Sequence, residues 1–85
     1  MKLNFYTDAG HGWLEVERKA LETLGLLPMV SRYSYENGDK VYLEEDLDAG
    51  LFLSALKGLG SLYPVDFNEI YEEHSKVRSF NRFSN

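Results

Sequence analysis

The chain has 85 residues, 44% of them hydrophobic and 27% charged, with no cysteine and a formal net charge of −5. That length holds one domain, the apolar content excludes a disordered chain, and the lack of cysteine excludes a disulfide scaffold or a thiolate-bound zinc. No apolar run approaches the ~20 residues of a membrane helix, so the expectation is a cytoplasmic protein without a membrane partner.

In chain order, Leu3 and Phe5 alternate with Lys2, Asn4 and Tyr6, the period-two pattern of a strand. The segment from Thr7 to Gly12 carries two glycines and an aspartate and reads as a loop. Trp13–Glu17 fits either a second strand or the first turn of the helix that follows, and the sequence leaves both open. Glu17–Leu24 is rich in helix formers, Gly25 stands where a left-handed residue ends a helix, and Pro28 blocks continuation.

Ser31–Glu36 and Asp39–Glu45 flank Asn37-Gly38, a strong hairpin signal. A two-residue loop there would pair Tyr35 with Lys40. A three-residue loop with Gly38 in a bulge would pair Tyr35 with Asp39 and gather Tyr33, Tyr35, Val41 and Leu43 on one face. Because register follows the sorting of apolar from polar side chains, the bulged hairpin is preferred.

Asp46 or Asp48 is then expected to cap a helix running to about Leu59, with Leu51, Phe52, Ala55, Leu56 and Leu59 as its core stripe. Val65 and Phe67 predict a last strand after Pro64. Val77, Phe80 and Phe83 recur by three, which fits a short helix or an irregular strap over about residues 75–85. The whole predicts one α+β domain over residues 1–85, a small antiparallel sheet of four to five strands with two helices packed on one face.

Two helices cover one face of such a sheet, so Tyr42 and Tyr6 are expected to stay exposed on the other. Together with the acidic residues Glu44, Glu45, Asp46 and Asp48 they form the candidate partner-binding surface, since exposed tyrosine is enriched at protein interfaces. The competing structural role of the acidic run is to favour a helix N-terminus. Its spacing is not that of a calcium loop.

Asp8, His11 and His74 offer metal-ligand chemistry without a metal-site motif, so no metal and no cofactor are expected. Ser34, Ser54 and Ser75 lack the context of a hydrolase nucleophile, and no catalytic residue is assigned.

Charge divides unevenly. Residues 1–75 hold six Lys/Arg and all fourteen acids, whereas residues 76–85 hold Lys76, Arg78 and Arg82 and no acid. Such a tail either lies across the acidic body or reaches an anionic partner. Lys76, Arg78, Phe80 and Arg82 are therefore the alternative, nucleic-acid-binding set. Three charges on an acidic body make direct nucleic-acid binding the lesser expectation.

The residues Gly10-His11-Gly12-Trp13, Tyr33-Ser34-Tyr35, Tyr42 to Asp48 and Ser75 to Phe80 resemble, in that order, a family of small and mostly uncharacterised accessory proteins of phages, prophages and mobile elements. The resemblance covers most of the chain. It implies a non-enzymatic protein, monomer or homodimer, that binds and blocks a host protein such as a defence nuclease.

Overall fold

The computed structural model describes residues 1–60 and 65–84. Six strands, β1 (Lys2–Thr7), β2 (Gly12–Glu17), β3 (Tyr35–Asn37), β4 (Lys40–Glu44), β5 (Asp66–Tyr71) and β6 (Asn81–Arg82), accompany two helices, α1 (Arg18–Thr23) and α2 (Asp48–Gly58). They form one sheet of order β5-β1-β2-β4-β3-β6. The α+β class agrees with the sequence reading, with one more strand than expected and one parallel pair, β1 with β5. Pro64, the expected marker before the last strand, lies outside the described residues.

Trp13–Glu17 belongs to a strand, β2, which pairs with β1 and β4. Trp13 faces one apolar layer and Leu14 and Val16 the other, so the strand starts with adjacent apolar residues that also suit the first turn of a helix. Leu14 and Val16 join Val41 and Leu43 under Leu21, Leu26, Val30, Ala49 and Phe52 on the helix side. Trp13 joins Tyr6, Tyr35, Tyr42 and Val77 on the other side. Both faces of the central strands are therefore covered, one by the helices and one by the C-terminal segment, while the edge strand β5 is mostly exposed.

Helix α1 ends as its sequence requires. Gly25 has φ 69°, and its N–H bonds the carbonyl of Glu22 while that of Leu26 bonds the carbonyl of Leu21. That is a Schellman ending, which satisfies the last carbonyls and brings Leu21 and Leu26 together in the core.

The hairpin differs from both registers considered. Asn37 pairs with Lys40, Glu36 with Val41 and Tyr35 with Tyr42, so the loop is Gly38-Asp39. Gly38 has φ 63° and no other residue type has positive φ, the pattern of a type II′ turn with glycine first. The bulged register rested on gathering Tyr35 and Val41 on one apolar face. Since both faces are apolar here, that criterion carries no information, and Tyr35 and Val41 lie on opposite sides.

Helix α2 begins after Leu47, which caps without a side-chain hydrogen bond. Neither Asp46 nor Asp48 acts as the cap. Of its expected stripe Phe52 is buried, Leu51, Ala55 and Leu56 are partly so, and Leu59 falls past the helix end and is exposed.

The C-terminal segment is a strap. Ser75 caps a 3-10 turn over Lys76–Ser79 by accepting the Val77 N–H at 3.3 Å. Val77 and Phe80 press on the tyrosine face, β6 pairs with β3, and Phe83 turns into the helix-side core. Tyr6 and Tyr42 are consequently buried, 6% and 4% exposed, contrary to expectation. The physical reason is that the strap, and not solvent, covers the face the helices leave. No helix among the described residues is long and apolar enough to cross a membrane.

Candidate binding cleft

The β2–β4 register builds the site. Trp13 stands opposite Glu44, and beyond the strand ends the Glu45 N–H donates to the Gly12 carbonyl at 3.0 Å. One step further along the same ladder, His11 faces Asp46. Strand alternation therefore brings His11, Trp13, Glu44 and Asp46 to the strap side of the sheet. Their neighbours confirm it: all four line one cleft of about 440 Å³, with Tyr33, Tyr35, Leu47, Arg78 and Arg82 around them.

Aromatic rings make the floor. The Trp13 and Tyr35 rings meet edge-on at 6.0 Å, and His11 lies 6.1 Å from Trp13. The indole N–H of Trp13 is buried and has no hydrogen-bond partner among the described residues. A buried donor left unmade costs about 1–3 kcal/mol, so an acceptor bound in the cleft within its reach would be favoured.

The two arginines at the edge are already engaged. Arg78 lies 5.1 Å over the Trp13 ring and forks onto Asp8 at 2.6 and 3.0 Å. Asp8 also accepts the N–H groups of Gly10, His11 and Ser75. The Arg78 guanidinium first, and these N–H groups after it, hold the Asp8 carboxyl well below its ordinary range. Asp8 thus fixes the loop that carries His11 and ties it to the strap. Arg82 stacks 4.7 Å over Tyr35 and donates to the Arg32 carbonyl at 3.3 Å.

The acidic run divides by environment. Both oxygens of Glu44 accept the Asp46 N–H, at 2.9 and 2.8 Å, and Glu44 is only 8% exposed. The Asp48 carboxylate is buried and collects the Ser31 N–H and the hydroxyls of Ser31 and Ser34 at 3.0, 2.7 and 2.5 Å. Glu45 and Asp46 are exposed, on opposite sides of the ladder. Tyr42 donates to Glu15 at 2.8 Å beneath the strap, and burial first, then that carboxylate, raises its phenol well above the ordinary range. Of the six residues expected to make a partner surface, only Glu45 and Asp46 reach solvent.

In the alternative nucleic-acid set Lys76, Arg78 and Arg82 are exposed and Phe80 partly so, yet each also has a contact within the molecule. Lys76 lies 5.1 Å over the Tyr6 ring, Phe80 packs on Tyr42 at 4.9 Å, and Arg78 and Arg82 are held as above. Residues of the site that sequence reasoning left aside are Trp13, Tyr33, Tyr35 and Leu47. Tyr33 precedes the hairpin turn and Leu47 interrupts the acidic run, and their apolar character among polar neighbours was the available signal.

No protein-family model matches the chain, and no curated protein or solved structure is significantly similar to it.

Proposed function

We propose that the chain is a non-enzymatic binding protein that engages another protein through the rim of this cleft. The observation that carries the reading is the placing of two large apolar side chains, Tyr33 and Leu47, 63% and 56% exposed, on one concave site. Around them stand Asp46 and Arg82, so the patch has an apolar centre and a charged rim of both signs. Interfaces concentrate their energy in such aromatic anchors, while rim charges set orientation and salt dependence. The resemblance of the Gly10–Trp13 and Tyr42–Asp48 segments to phage accessory proteins points to a host protein as the partner.

Affinity capture with the wild-type chain and with a Tyr33→Ser/Leu47→Ser variant tests this. The variant, checked for fold by circular dichroism, is expected to lose a partner that the wild type retains. A partner held equally by both proteins would place the binding surface elsewhere.

A further inference from the structure

The cleft holds three Lewis bases that the protein-binding reading does not use together. The ligand atoms of His11, Glu44 and Asp46 lie within 4.8 Å of one another. We propose that these three residues form a site for a divalent transition-metal ion of the zinc class, with the Trp13 indole N–H donating to the water or anion that completes its coordination. The site stands independently of any protein partner.

Three observations carry it. Glu44 is only 8% exposed, its oxygens accept the Asp46 N–H, and no lysine or arginine is in ion-pair contact with it among the described residues, so a cation would balance its charge. The nearby guanidiniums do not fill that role, because Arg78 is spent on Asp8 and Arg82 on the Arg32 carbonyl. The third is the orphaned Trp13 N–H, in a side chain only 2% exposed. A metal-bound water or anion in the cleft would give it the acceptor that the neighbouring side chains do not.

The geometry is close to what binding needs. Zinc–nitrogen and zinc–oxygen bonds near 2.0–2.2 Å with tetrahedral angles put ligand atoms about 3.3 Å apart. His11 and Asp46 are exposed, so their side chains rotate inward at little cost while the backbone stays tied by Glu45 to Gly12 and by Asp8 to His11. One imidazole with two carboxylates suits zinc, manganese or iron(II), whereas calcium and magnesium prefer oxygen alone.

Trp13 is the chain's one tryptophan, so its fluorescence and its single indole N–H resonance report on this site. Chelator-treated protein is titrated with zinc chloride, alongside His11→Ala, Asp46→Asn and His74→Ala, each checked for fold by circular dichroism. The wild type is expected to bind one zinc, with a fluorescence change and a shifted indole resonance, and His74→Ala to do the same. His11→Ala and Asp46→Asn should each weaken binding by more than the roughly 10–100-fold that loss of an outer partner costs. No response to millimolar zinc in the wild type would overturn the proposal. So would zinc binding that survives in His11→Ala, or an indole resonance unmoved at saturation.

Discussion

Asp46 and Asp48 stand two positions apart in one acidic run, and their surroundings give them different work. Asp46 lies on the rim of the cleft, while Asp48 gathers the loop at Ser31 and Ser34 against the start of α2. Ser34 in turn accepts the Glu44 N–H at 3.0 Å, so the network reaches the floor of the cleft. Replacing Asp48 with alanine strands the part-buried N–H and hydroxyl of Ser31 and the buried hydroxyl of Ser34, and the expected loss is about 2–3 kcal/mol. Asp46→Ala removes an exposed carboxylate and should change stability by less than about 0.5 kcal/mol. Urea midpoints of the two variants decide this, and equal losses would show that Asp48 is not the anchor. None of this was legible in the run itself. Five neighbouring positions of similar composition can be sorted only by knowing that the serines return to Asp48.

At the scale of elements, the helices and strands were largely legible, because their punctuation is local. Gly25 and Pro28 stop α1, and the Gly58-Leu59-Gly60 stretch stops α2. The hairpin was legible as a hairpin but not in register, since a sheet covered on both sides gives no polar face to align. The turn still depends on Gly38. A Cβ there meets nothing within 4 Å, so the cost of Gly38→Ala is that of a left-handed backbone alone, about 1–2 kcal/mol. Thermal denaturation should show the loss without any change in the wild-type fold signature. A neutral substitution would mean that the turn relaxes to another type.

At the scale of the molecule, the strap joins the two ends of the site. The charge split along the sequence already suggested that a basic tail lies across an acidic body. It could not show that the tail would bury Tyr6 and Tyr42, because a spacing of three suits a helix as well as a strap. Asp8–Arg78 is the clasp. Asp8 ordinarily titrates near 3.8 and is held well below that in the folded state, chiefly by Arg78. A carboxyl depressed on folding stabilises the protein above its unfolded value and loses that contribution as pH falls. Wild type should therefore exceed Asp8→Asn in thermal midpoint at neutral pH, and the gap should close as pH drops below about 3.8. A gap that persists unchanged into strong acid would show that the clasp contributes through shape and not through charge. The order in which the chain is made adds a consequence of the sheet topology. The outer partner of β1 is β5, and the outer partner of β3 is β6, both drawn from residues 66–82. A ribosome that has delivered everything up to α2 has thus produced a two-sided sheet with both flanks and its tyrosine face bare. Contacts so distant along the chain form late. A chain ending before β5 and β6 is therefore expected to be digested by protease much faster than the full chain, and limited proteolysis of the truncated and full chains checks this.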